Sequence, residues 1–237
     1  MKNIKTIVAT LLLLLTSSAT FAHALWIETA SSGKLGQKHN VKVFYGEFVA
    51  NERDSVSKWY SDVKDLSLWL VGPDQKKVQL NLTPGTNFVE TSFIPEQNGG
   101  YTLLISHEAK ELGGATKYHF LSSATVSVGN ISPDIKNNSN VLAIHSDNIL
   151  TARINKVLKL NANLKTAAAS GKALTVFSSN GWSKELLADV DGTVDFTPLW
   201  KGRYVVEVMD TDKTPGQHNG KDYKSTWKGA TYSFEVR

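Results

Sequence analysis

The chain has no cysteine. That excludes disulfides, thiol nucleophiles and cysteine metal sites, so any metal would be held by imidazole, carboxylate, thioether, backbone or an N-terminal amine. Long hydrophobic runs are also missing. The apolar run from Ile7 to Leu15 is about half of the ~20 residues that a membrane helix needs, and no later segment is long enough either. A dominant charge is lacking too: 26 basic residues stand against 22 acidic ones without a dense basic stripe, which argues against nucleic-acid binding. Catalytic signatures are absent, with no G-x-S-x-G, no H-E-x-x-H and no phosphate-cradling glycine loop. No carboxylate pair stands out as an acid/base couple, and no catalysis is expected.

What is present begins with an export signal. Lys2 and Lys5 precede the apolar run, and a Ser/Thr stretch with small residues follows it up to Ala22 or Ala24. That order is a secretory signal, so the expected location is the periplasm or another exported compartment. Two cleavage points fit. A cut after Ala22 leaves His23 first; a cut after Ala24 matches A-x-A better and leaves Leu25 first. The first is preferred because Leu25 already belongs to a strand pattern. It leaves 215 residues, with 24 basic against 22 acidic, enough for one large or two ordinary domains.

From there the pattern is β throughout. Strands are expected at Ala24–Thr29, Lys38–Tyr45, Leu66–Val71, Val78–Leu82, Phe88–Ile94, Tyr101–Ser106 and Tyr118–Val128, with turn residues such as Gly72-Pro73-Asp74 and Asn98-Gly99-Gly100 between them. Seven short strands suggest an immunoglobulin-like sandwich over residues 23–129. Two polar segments interrupt it, Val49–Asp65 (a long insertion or a short surface helix) and His107–Thr116. Residues 130–140, within the Asn/Ser/Pro-rich run Gly129–Asn140, read as a linker. A second set of strands follows in 141–237, at Val157–Asn161, Ala173–Phe177, Ser183–Leu187, Val194–Thr197, Tyr204–Met209 and Thr231–Val236, with a hairpin expected at Asp189–Gly192. The fold class expected is all-β: two tandem immunoglobulin-like or transthyretin-like sandwiches.

The second half carries Gly171-Lys-Ala-Leu-Thr-Val176, Asp191-Gly-Thr-Val-Asp-Phe196 and Lys201-Gly-Arg-Tyr-Val-Val206. In these it resembles the transthyretin-like or carboxypeptidase-regulatory-like sandwich, which bears on fold and not on function. The chain after residue 22 also resembles the bacterial periplasmic family called domain of unknown function 4198. The residues that carry this likeness are His23-Ala-Leu-Trp-Ile-Glu28, Phe44-Tyr-Gly-Glu47 and the tail from Asp210 to Gly220. The resemblance implies a metal-handling role beside nickel and cobalt uptake systems, with an inner-membrane metal transporter as partner. Copper monooxygenases that attack polysaccharides share the outline of a secreted β-sandwich beginning with histidine, but nothing else in the chain matches them.

The chain has six histidines, none in a close H-x-H or H-x-x-x-H pair. His23, as a first residue, would offer α-amine and imidazole together, two nitrogens suited to a tetragonal nickel or copper site. With pKa values near ~8 and ~6.5, neither group holds its proton strongly at neutral pH. His218 lies in a turn-rich loop after Asp210 and Asp212, His107 ends a strand beside Glu108, and His119 sits inside a strand. These four are the candidate metal ligands, for nickel, cobalt or copper. His39 reads as a surface residue, and His145, near Asp147, is a weaker candidate. Glu47, or Glu52 with Asp54, could add oxygen ligands, although carboxylates in such segments are commonly just solvated. The alternative function is a sandwich binding module for a glycan or protein. Trp59-Tyr60 would be its most exposed aromatic pair, whereas Trp69 reads as core.

Overall fold

The structure, a computed structural model, describes residues 23–129, 131 and 138–237. The expected signal segment and most of the expected linker lie outside the described residues. The fold is all-β. The first half contributes β1 (Ala24–Thr29), β2 (Ser32–Gly33), β3 (His39–Glu47), β4 (Glu52–Arg53), β5 (Leu68–Val71), β6 (Lys77–Leu80), β7 (Thr83–Pro84), β8 (Val89–Phe93), β9 (Gly99–Glu108) and β10 (Thr116–Val128). The second half contributes β11 (Leu142–His145), β12 (Leu158–Leu164), β13 (Ala167–Ala168), β14 (Ala173–Ser178), β15 (Ser183–Leu187), β16 (Thr193–Phe196), β17 (Gly202–Asp212), β18 (Gly216–His218), β19 (Lys221–Tyr223) and β20 (Ser225–Val236).

One sheet runs through both halves. Its order is β15-β14-β17-β20-β10-β9-β5-β6, with β2 joined to β10. The seam is a parallel pairing of β10 with β20, from Thr116 opposite Ser225 to Ala124 opposite Ser233. Side chains alternate across a strand, so each strand of this sheet serves two different cores. On one face, Phe120, Ala124, Val126 and Val128 of β10 join Leu103, Ile105 and Leu68 under the sheet β1-β3-β8-β7, which supplies Leu25, Ile27, Val41 and Val43. On the other face, Leu121 joins Leu174, Val176, Tyr204, Val206 and Tyr232 under β11, β12 and β16, which supply Leu142, Leu158, Leu160 and Phe196. The layers are therefore staggered: one outer sheet covers the first half of the central sheet from one side, and the other covers the second half from the opposite side. Each fully buried Leu, Ile or Val in these cores contributes about 1.5–3 kcal/mol.

Each half carries the same corner device. Tyr101 donates its hydroxyl to the carbonyl of Gln97 at 2.9 Å, and Tyr204 donates to the carbonyl of Trp200 at 3.0 Å. A tyrosine bonded back to the chain a few residues upstream is a tyrosine corner of immunoglobulin-like sandwiches.

Several expectations need correction. Asp189–Gly192 does not close a hairpin. β15 pairs with β14 in the central sheet and β16 with β12 in the outer one, so this turn carries the chain between layers. Asp189 Oδ1 fixes it by accepting the backbone N–H groups of Asp191 and Thr193. Val49–Asp65 is neither a helix nor a loose insertion. It holds β4 and two single 3-10 turns, Val56–Lys58 and Val63–Asp65, whose Val56 and Val63 enter the first core. Trp59 is 4% exposed, and its indole N–H donates to the carbonyl of Asp54. It is a core residue, not an exposed platform. Trp69, by contrast, is only half-buried, because its neighbour Leu68 faces the core. His39 is buried against Phe93 and bonds Thr29 through Nε2 at 2.7 Å, so it is not a surface residue.

Candidate metal centre

β1 pairs antiparallel with β3, which sets Ala24 opposite Gly46. After Glu47 the chain turns back through Asn51, which adopts a left-handed φ of 55°, and β4 pairs with β3, Gly46 opposite Arg53. Gly46 itself has φ 145°, and a Cβ there would lie 2.5 Å from the Glu52 carbonyl oxygen. Only glycine lets β4 lie this close to β3. Alternation along β4 then sends Arg53 to one side, where it binds Glu28 at 3.1 Å and lies over the Phe44 and Trp26 rings. Glu52 and Asp54 flank His23 on the other side.

His23, Glu52 and Asp54 each offer a ligating atom, and these atoms lie within 4.8 Å of one another. His23 Nε2 is 3.4 Å from Asp54 Oδ2. Among the described residues no other set of three His, Asp or Glu groups meets in this way. The His23 side chain is 38% exposed and that of Asp54 22%, so the cluster is accessible from solvent without being fully hydrated. Its positive neighbour Arg53 is already engaged with Glu28, which leaves the two carboxylates to the histidine.

Beneath His23 lies a cavity of about 260 Å³ walled by Tyr45, Tyr60, Tyr118, Phe120 and Trp227. Gly229 makes room for it, since a Cβ there would strike the Trp227 ring at 2.2 Å. Burial and then the charge of Asp54 push the Tyr45 phenol up, so it stays neutral and does not compete as an anionic ligand.

The other expected ligands are held elsewhere, and each has Nε2 committed. His107 Nε2 lies 3.2 Å from Asp62 Oδ1, tying β9 to the segment before β5. Burial alone would raise the Asp62 carboxyl, but hydrogen bonds from the Lys110 N–H and His107 outweigh it and hold the carboxyl below its usual range. His218, at the end of β18 rather than in a loop, donates Nε2–H to the Ala109 carbonyl at 2.9 Å. His119 Nε2 pairs with the Ser106 hydroxyl at 2.8 Å, and burial lowers its pKa to about 4, although Glu108 pulls the other way. His145 is likewise lowered by burial. Glu47 faces away from this cluster into a separate cleft.

The carboxylate partners of His23 were visible in the sequence only as an acidic pair in a polar stretch; nothing local shows that β4 folds back beside β1. The cavity wall was missed for the same reason, since the β10–β20 seam sets Tyr118 opposite Trp227 and the packing of the outer sheet brings Tyr45 onto Phe120.

No family model matches the chain, and no curated protein matches it in sequence. Among solved structures, it is similar to trypsin-activated alpha-2-macroglobulin from Escherichia coli, at 9% identity over 90% of this chain and 16% of that one, with a TM-score of 0.28. It is also similar to a two-domain fibronectin type III segment of chicken tenascin, at 11% identity over 86% of this chain and 95% of that one, with a TM-score of 0.23. The chain spans about a sixth of the length of the first. Among the described residues no helix is long and apolar enough to cross a membrane.

Proposed function

We propose that this is a periplasmic protein that binds a nickel, cobalt or copper ion at His23 and serves uptake or homeostasis of that metal without catalysis. The observation that carries the reading is the meeting of His23 with Glu52 and Asp54. His23 Nε2 faces Asp54, so the set is one imidazole nitrogen and two carboxylate oxygens; the α-amine freed by removal of residues 1–22 chelates the same ion only with Nδ1, after the ring turns. Such a mixed set suits divalent nickel, cobalt and copper and needs no thiolate. The ligand set thus departs from the sequence expectation: Glu52 and Asp54 take the places assigned to His218, His107 and His119. The resemblance to domain of unknown function 4198 points the same way, with an inner-membrane metal transporter as the receiving partner.

Native mass spectrometry of protein taken from the periplasm, with nickel and copper added in turn, tests this. A chain starting at His23 with one retained ion is expected. Asp54→Asn should weaken that ion by about tenfold or more, the loss typical of disturbing even a supporting group around a metal. A chain starting at Leu25, or no ion retained, would reject the reading.

A further inference from the structure

The second half of the central sheet has one uncovered face, and a cleft of about 360 Å³ lies where the edge of the first outer sheet ends. That volume is at the small end of the roughly 300–1,000 Å³ of ordinary ligand pockets. Its walls are apolar: Trp26, Phe48, Phe177, Val205 and Met209. Trp26 is completely buried, and its indole N–H is already donated to Glu28 at 2.9 Å.

Two carboxylates face this apolar space, Glu207 from β17 and Glu47 from β3. Among the described residues the side chain of neither has an ion-pair or hydrogen-bonding partner, whereas Glu28, Asp62 and Asp210 are each paired. Burial, and then the charge of Glu47, raise Glu207 to about 7. The remaining charged groups at the cleft are Lys184 and Glu185, both exposed at its rim on β15. Glu207 is half-buried, and an unpartnered carboxylate so placed favours a counter-charge beside it. A metal ion is a poor occupant, because Glu185 stays at the rim and the three carboxylates do not come together closely enough to share one ion. A neutral apolar molecule would fill the walls and leave the carboxylates unanswered.

We propose that this cleft binds a small organic cation, an ammonium or amidinium group on an aromatic or branched apolar body, with the charge between Glu47 and Glu207 and the body against Phe48, Phe177 and Met209. Rings of this kind add cation–π attraction to the charge pairing. Binding ionises Glu207, so complex formation near neutral pH releases a proton. The cleft shares none of the groups gathered at His23, although Ala24 and Gly46 border it.

Calorimetric titration of the full chain with phenethylamine and with its neutral analogue 2-phenylethanol tests the proposal. Saturable one-to-one binding of phenethylamine is expected at pH 8. It should weaken by about tenfold at pH 6, in Glu207→Gln, and on changing to the alcohol, each loss amounting to about one counter-charge (tenfold is ~1.4 kcal/mol). Titration at pH 7 in two buffers of different ionisation enthalpy should show proton release by the wild type and none by Glu207→Gln. Glu207→Gln keeps the shape of the side chain, and metal uptake at His23 in the same variant reports that the fold is intact. Equal binding of amine and alcohol, unchanged amine binding in Glu207→Gln, or no saturable binding of phenethylamine or benzamidine at millimolar concentration would each overturn it.

Discussion

Glu207 and Asp210 stand three residues apart on β17 and point to opposite faces of the central sheet, yet burial has opposite outcomes for them. At Asp210, burial works against the charge, but Lys172 at 2.7 Å and Lys228 at 3.0 Å outweigh it and hold the carboxyl below its usual range. At Glu207 no such partner is present, and burial together with Glu47 raises the carboxyl to about 7. Desolvation alone does not decide the state of a carboxylate; the partners do. A saturated cluster such as Lys172–Asp210–Lys228 is a structural tie, whereas an unsaturated carboxylate in a cleft is a place for something else to bind.

The largest test of that contrast removes the saturated side. Asp210→Ala strands two lysines, Lys228 being only 11% exposed in its side chain, and should cost about 4 kcal/mol in urea unfolding. A cost below ~1 kcal/mol would mean that the tie is ornamental. Next comes His119, which faces the same side of the sheet as Asp210. Its folded pKa lies below that of the unfolded chain, so the unfolded state binds more protons between about 4 and 6.5. Stability should therefore fall by up to about 3 kcal/mol as pH drops through that window, and His119→Gln should flatten the fall. His39 and His145, also lowered by burial, contribute in the same direction. The smallest effect belongs to Glu207. Its folded pKa lies above that of the unfolded chain, so the folded state binds more protons between 4.5 and about 7, and wild-type stability declines as pH rises across that range. Glu207 is only half-buried, so solvent takes up part of that shift: Glu207→Gln should be more stable than wild type by about 2 kcal/mol at pH 8 and equal to it near pH 4, read from urea midpoints at both pH values.

Much of the strand order was legible because alternation and turn residues are local signals. Ala24–Thr29 and Ser183–Leu187 fall where the pattern sets them, and most other boundaries differ by one to three residues. The exceptions are informative. β20 begins at Ser225, six residues before the expected start, because Trp227 and Lys228 continue a ladder with β10 that no local pattern reveals. The hairpin of β18 and β19 was hidden in a run of turn-forming residues. The shared central sheet was not legible, since its seam joins residues more than a hundred positions apart. At the candidate metal site, His23 stood out by position alone, while Glu52 and Asp54 became its neighbours only through the close approach allowed by Gly46. Glu207 did leave a trace, as the one charge inside the apolar run Tyr204–Met209. A charge in that place in a central strand needs a partner or a ligand.

The seam between β10 and β20 also governs the order in which the molecule can assemble. From Thr226 to Ser233, β20 is paired on both sides, with β17 and with β10, and the strand supplies Ala230, Tyr232, Phe234 and Val236 to one core while Trp227 packs against the other. A chain that emerges amino end first cannot complete the second core until its last strand arrives, whereas the first lacks only Trp227 from that strand. Until β20 is made, one edge of β10 has no strand beside it, while the other is already paired with β9. High contact order of this kind places folding in the millisecond-to-second class and makes the unfinished chain a client for chaperones.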